Sequence, residues 1–122
     1  MPVIRASGEP DVEAIQAIYA HHVLNGVASF EEVPPDAGEI HRRRRDVLER
    51  GLPYLVVEQD QRVVGYAYAA PYRARTAYRY TLEDSIYLAP EMVGKGLGRT
   101  LLRRLIELCT LQGYRQMVAV IS

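Results

Sequence analysis

The segment Val93-Gly94-Lys95-Gly96-Leu97-Gly98-Arg99 carries the strongest chemical signal in the chain. Glycine lets a backbone approach a ligand with no Cβ in the way. Directly behind the segment, Leu97, Leu101, Leu102, Leu105, Ile106 and Cys109 recur at helical spacing and predict one buried helix face. The unpaired amides at a helix N-terminus carry partial positive charge, so a glycine turn there suits a phosphate or pyrophosphate. Lys95 and Arg99 would add charge at the rim, and a tight structural turn is the competing reading. The spacing is neither that of a Walker A loop nor Gly-x-Gly-x-x-Gly. A dinucleotide fold also places its glycines after the first strand, whereas these follow a late one.

The elements that must hold this loop follow from pattern. Pro2 to Arg5 reads as a strand. Asp11 is placed to cap a helix whose apolar face is Val12, Ile15, Ile18, Tyr19 and Val23, ended by Asn25-Gly26. Val27 to Glu32 is a short extended or loop segment. After Pro34-Pro35, Asp36 is placed to cap a second helix reaching Arg50. Leu52–Glu58 and Arg62–Ala70 read as strands joined by a tight turn at Asp60-Gln61, an antiparallel hairpin. Pro71 to Thr76 is an arginine-bearing loop and Tyr78 to Leu88 a third long strand. The glycine loop, the leucine-rich helix to Gln112 and a strand over 114–121 complete a βαβ crossover with parallel neighbouring strands. The predicted fold is α/β, a mixed sheet in which an antiparallel meander feeds a parallel pair, in one domain spanning 1–122.

A long strand, a loop ending in Gly-x-Gly and a leucine-rich helix resemble the acetyl-CoA-binding motif of the GNAT superfamily of N-acetyltransferases. Its pattern is Gln/Arg-x-x-Gly-x-Gly/Ala, and Gly96 and Gly98 match the glycines. Val93 stands where the family has Gln or Arg, a departure that removes a side chain and leaves the backbone amides. Ala69-Ala70-Pro71-Tyr72-Arg73-Ala74-Arg75-Thr76-Ala77-Tyr78 and Thr81-Leu82-Glu83-Asp84-Ser85-Ile86-Tyr87-Leu88 resemble the phosphinothricin N-acetyltransferase subgroup, as do Val27-Ala28-Ser29-Phe30-Glu31 and Pro34-Pro35.

The resemblance implies a GNAT-like (acyl-CoA N-acyltransferase) fold. It also implies acetyl transfer from acetyl-CoA to the amino group of a small amino acid or analogue of the phosphinothricin or methionine sulfone/sulfoximine type. Glu83 would be the general base for the substrate ammonium; by position alone it is a solvated strand carboxylate. Side chains alternate along a strand, so Glu83 and Asp84 should face opposite ways. Ile86, Tyr87 and Leu88 would offer backbone groups to the pantetheine arm, and Val93 to Arg99 would hold the pyrophosphate. Phe30, Arg73, Arg75 and Tyr78 lie where the subgroup meets its acceptor, and guanidinium forks suit a carboxylate or phosphinate. The superfamily fold continues past the last strand with a helix and two strands. The resemblance therefore implies a C-terminally incomplete form. A homodimer partner or a complementing segment would cover the gap; the alternative is a non-catalytic fragment that binds CoA.

Composition sets the outer limits. The chain has 122 residues, 48% apolar and 25% charged, with 15 Lys+Arg against 15 Asp+Glu. The apolar content and balanced charge argue against disorder, and zero net charge argues against a nucleic-acid binder. Arg42-Arg43-Arg44-Arg45 spreads around a helix beside Glu39, Asp46 and Glu49 and reads as a solvated helix surface. His21, His22 and His41 show no metal-ligand pattern with Cys109, so no metal is expected. Cys109 is the only cysteine and reads as a small buried hydrophobe in a reducing cytoplasm. No apolar run reaches the roughly 20 residues that span a bilayer.

Overall fold

The computed structural model describes residues 2–25, 33–71, 81–113 and 116–121. Its elements run β1 (Val3–Ala6), α1 (Val12–Leu24), α2 (Ala37–Glu49), β2 (Tyr54–Gln59), β3 (Arg62–Pro71), β4 (Thr81–Leu88), α3 (Leu97–Leu111) and β5 (Gln116–Ile121). The sheet order is β1-β2-β3-β4-β5. The first four strands pair antiparallel, and β5 lies parallel to β4 with Thr81↔Gln116 through Ile86↔Ile121. This is the meander and crossover that the element order predicts.

Each sheet face is closed by helices whose apolar spacing turns one side inward. Val12, Ile15, Ile18, Tyr19 and Val23 of α1 are all buried, as are Ile40 and Val47 of α2. On the opposite face Leu97, Leu101, Leu105 and Cys109, four apart, form the buried stripe of α3. Ile106 does not join it and is 43% exposed: one step along a helix turns about 100°, which rotates it off the stripe set by Leu105. Burying a side chain such as Leu101 or Leu105 is worth about 2–3 kcal/mol. Burial pushes the Cys109 thiol up to about 11, with the Asp84 carboxylate adding to it, so the thiol form dominates at neutral pH. Asp60 (φ 54°) and Gln61 (φ 63°) are both left-handed, the two-residue hairpin turn that matches strand twist.

Two polar ties fix the entry to the fold. Asp36 caps α2 as the sequence predicts, its Oδ1 accepting from the Glu39 amide at 2.9 Å. Asp11 does not cap α1. Its carboxylate accepts instead from the Gly8 amide at 2.7 Å and from both terminal nitrogens of Arg5 at 2.8 Å. Arg5 Nε donates to Glu58 on β2 at 2.6 Å, so one guanidinium joins β1, the first turn and the hairpin. The arginine run is also only partly solvated. Arg42 and Arg43 pair with Glu39, and chiefly the Arg42 bond holds that carboxyl down at about 2. Arg44 is buried and donates to the Ser7 hydroxyl at 2.8 Å and the Ser7 carbonyl at 2.9 Å. Spacing along α2 could not show that acceptor, because Ser7 lies 37 residues earlier, outside the helix.

Gly65 is demanded by crowding. A Cβ there would stand 2.6 Å from Leu88 Cδ2 and 3.1 Å from Val57 Cγ1. Gly65→Val should cost about 1–3 kcal/mol in urea unfolding, with the strain delivered to the end of β4. The Arg5 bond holds the Asp11 carboxyl below its ordinary 3.8. Its stabilisation is therefore complete above that value and is lost as pH falls through and below it. Asp11→Asn should unfold at lower urea than the wild type near about pH 6, and the gap should narrow toward about pH 3.

Candidate active site

The glycine loop begins where β4 runs out. The Ala89 amide donates to the Val64 carbonyl of β3 at 2.8 Å, and a short 3₁₀ turn over Pro90–Met92 follows, pinned by buried Met92 and by an Arg62–Glu91 ion pair at 2.7 Å. Gly94 (φ 84°) and Gly96 (φ 80°) then both adopt left-handed backbone. A Cβ at either would meet nothing within 4 Å, so it is the backbone conformation that calls for glycine. Gly96 is the N-cap of α3. No side chain caps the helix there, and no acidic residue lies in its first turn. The amides of Leu97, Gly98 and Arg99 thus open a 15-residue helix without a side-chain acceptor from the cap.

Beside that helix end lies a cleft of about 350 Å³, lined by His22, Ile86, Leu88, Val93, Gly98, Arg99 and Leu102. Pairing of β4 with β5 covers Thr81 to Ile86; Tyr87 and Leu88 lie beyond it and are still held by Tyr66 and Gly65 of β3. Because the Ala89 amide points at β3, alternation turns the amide and carbonyl of Leu88 the other way. That carbonyl accepts from His22 Nε2 at 2.8 Å. The cleft therefore sits at the end of β4, between α1 on one sheet face and α3 on the other.

Glu83 lies on β4 three residues before Ile86 and is half-buried, while Asp84 is 1% exposed and turned toward Cys109 of α3. The two carboxylates face opposite ways, as alternation requires. On Glu83's face the registers Tyr68↔Ser85 and Tyr66↔Tyr87 extend an aromatic surface along the sheet. Tyr54 stacks on Tyr68 with centroids 4.9 Å apart, Tyr66 on Tyr87 at 5.2 Å, and Tyr19 meets Tyr87 edge-on at 5.3 Å. Burial pushes the hydroxyls of Tyr54, Tyr66 and Tyr68 up, so all three are neutral near pH 7.

The predicted loop residues thus come together at one place. Val93 is 63% exposed at the cleft mouth, Lys95 and Arg99 are exposed at the rim, and Leu97 is buried beneath them. Ile86 and Leu88 line the cleft; the Tyr87 ring points into the aromatic layer. Phe30, Arg73, Arg75 and Tyr78 lie outside the described residues. His22 is the residue that sequence reasoning missed. Its position, four after Ile18 and seven after Ile15, places it on the buried face of α1, a signal that metal-ligand spacing does not test.

A family model, Acetyltransferase (GNAT) family, matches residues 15–122. The chain belongs to the GNAT acetyltransferase family. Within it, the chain is 56% identical over 116 residues to a phosphinothricin N-acetyltransferase of Alcaligenes faecalis, covering 95% of this chain and 59% of that protein. It is 40% identical over 121 residues to the L-methionine sulfoximine/L-methionine sulfone acetyltransferase of Salmonella typhimurium, covering 98% of this chain and 70% of that one. A crystal structure of a GNAT superfamily phosphinothricin acetyltransferase from Sinorhizobium meliloti in complex with AcCoA superposes with a TM-score of 0.94 at 47% identity, over 99% of this chain and 66% of that one. The chain thus spans roughly three-fifths to seven-tenths of the length of these relatives.

The GNAT glycines here should separate by backbone role. Gly94→Ala and Gly96→Ala should each lose about 1–2 kcal/mol in urea unfolding, from left-handed strain. Gly98 is helical and its Cβ would make an ordinary 3.7 Å contact with Leu88, so Gly98→Ala should be neutral or stabilising.

Proposed function

We propose that this chain is an N-acetyltransferase that takes acetyl from acetyl-CoA and passes it to the amino group of a small amino acid or analogue, of the phosphinothricin or methionine sulfone/sulfoximine class. The observation that carries this reading is the uncapped N-terminus of α3 opening beside an apolar cleft at the end of the strand that holds Glu83. The relatives named above act on such acceptors.

The residues fit the cofactor. Helix amides and left-handed glycines suit a pyrophosphate, and a cleft walled by Ile86, Leu88, Val93 and Leu102 suits a pantetheine arm. Bound there, acetyl-CoA supplies an acyl group already activated as a thioester. Gly94, Lys95, Gly96, Leu97, Gly98 and Arg99 hold the phosphates through backbone amides and rim charge. Ile86, Tyr87 and Leu88 give backbone groups alongside the arm. Glu83, half-buried above the tyrosine layer, takes the proton of the acceptor ammonium, directly or through a water, so that the nitrogen lone pair is free to attack. By the subgroup resemblance we assign Arg73, Arg75, Phe30 and Tyr78 to the acceptor, the guanidinium forks suiting its acidic group.

Thiol release from acetyl-CoA with a panel of amino-acid acceptors tests this directly. The wild type should release thiol with an acceptor of the named class. Glu83→Gln should lose about 10²–10⁴-fold in kcat while CoA affinity is kept. Normal turnover by that variant would remove Glu83 from the chemistry, and CoA binding with no release for any acceptor would make the chain a binding fragment. Arg75→Ala should raise KM for acidic acceptors about tenfold or more and leave KM for acetyl-CoA unchanged.

A further inference from the structure

His22 is buried on α1 among the apolar residues that hold that helix to the sheet, yet its own side chain is polar. Its ring stands 5.5 Å from the Tyr87 ring, and its Nε2 reaches the Leu88 carbonyl at 2.8 Å. A carbonyl can only accept, so Nε2 carries the proton. Among the described residues lining the cleft, His22 is the one contributed by α1; the others come from β4, the glycine loop and α3. Apart from Arg99 at the rim, it is also the only one with a polar side chain. Its bond falls on the last residue of β4, beyond the β5 pairing and just ahead of the loop. Leu88 itself touches both ends of the site. Its side chain would lie 2.6 Å from a Cβ at Gly65 and 3.7 Å from one at Gly98.

We propose that His22 is a positioning residue of the acyl-donor cleft: by donating to the Leu88 carbonyl it ties α1 to the last peptide of β4 and so sets the width of the channel between α1 and α3. This rests on the acetyl-CoA reading above. From the β3 side the Leu88–Ala89 peptide is held by the Ala89 amide on the Val64 carbonyl. The imidazole supplies the restraint on the other side, at a depth where water would otherwise have to satisfy the carbonyl. Without it the Ala89 amide still holds that peptide to Val64, but α1 loses its tie to the end of β4 and the channel beside Leu88 is free to widen.

The test compares His22→Phe, which keeps a ring against Tyr87 and removes the donor, with His22→Gln, whose amide nitrogen can reach the position of Nε2. The readouts are direct titration with CoA, initial rates and thermal unfolding. His22→Phe should raise the Kd for CoA and the KM for acetyl-CoA about tenfold, with kcat changing less than about twofold, and His22→Gln should recover most of the loss. A His22→Phe protein with a lowered Tm but wild-type Kd and KM would overturn the proposal and leave His22 a structural anchor. Equal losses in Phe and Gln variants would overturn it as well, since the donor would then not be what matters. A wild type that binds no CoA would overturn the cofactor reading itself, an outcome distinct from both.

Discussion

The site depends on one constraint: a helix begins at the end of β4 with its first amides uncapped. Two left-handed glycines make that possible. Gly94 and Gly96 turn the chain from the strand into α3 without a side chain that would bond back to the helix N-terminus. A serine or aspartate at position 96 would cap the helix and gain stability, and it would occupy the amides that an anion needs. The loop accepts that loss, and the rest of the fold is arranged to hold the open end still.

That arrangement comes from both faces of the sheet. On one face Leu97, Leu101, Leu105 and Cys109 anchor α3. On the other, the tyrosine layer of Tyr19, Tyr54, Tyr66, Tyr68 and Tyr87 seats α1 and α2. β4 is the common member, and its alternation gives each carboxylate its place. Asp84 goes inward beneath α3, while Glu83 goes half-buried to the tyrosine face. The end of β4 is fixed by Gly65 from inside the sheet and by His22 from α1, so strand, loop and helix meet with little freedom.

Much of this was legible in the sequence, because local periodicity is physical. Leucines four apart in α3, the apolar face of α1, the left-handed Asp60-Gln61 turn and the parallel β4–β5 pair all follow from spacing and chain connectivity. The glycine loop was legible as a candidate phosphate cradle, and the resemblance to the GNAT family gave it a ligand. What spacing missed are contacts whose partner comes from a distant part of the chain. Asp11 looked like a cap but serves Arg5; Arg44 looked solvated but is buried on Ser7; His22 looked idle but ends on Leu88, 66 residues away. A side chain's acceptor is a tertiary fact, and no local pattern encodes it. Ile106 marks the same limit from the other side, as an apolar residue whose helical angle turns it outward.

On the proposed function, the N-terminus of α3 receives the diphosphate of CoA. Following backbone amide resonances while CoA is titrated in tests it most directly. The amides of Gly94, Lys95, Gly96, Leu97, Gly98 and Arg99 should shift most, together with Leu88, and saturate with a single affinity. Unchanged loop amides, with the largest shifts appearing at any other surface, would contradict it.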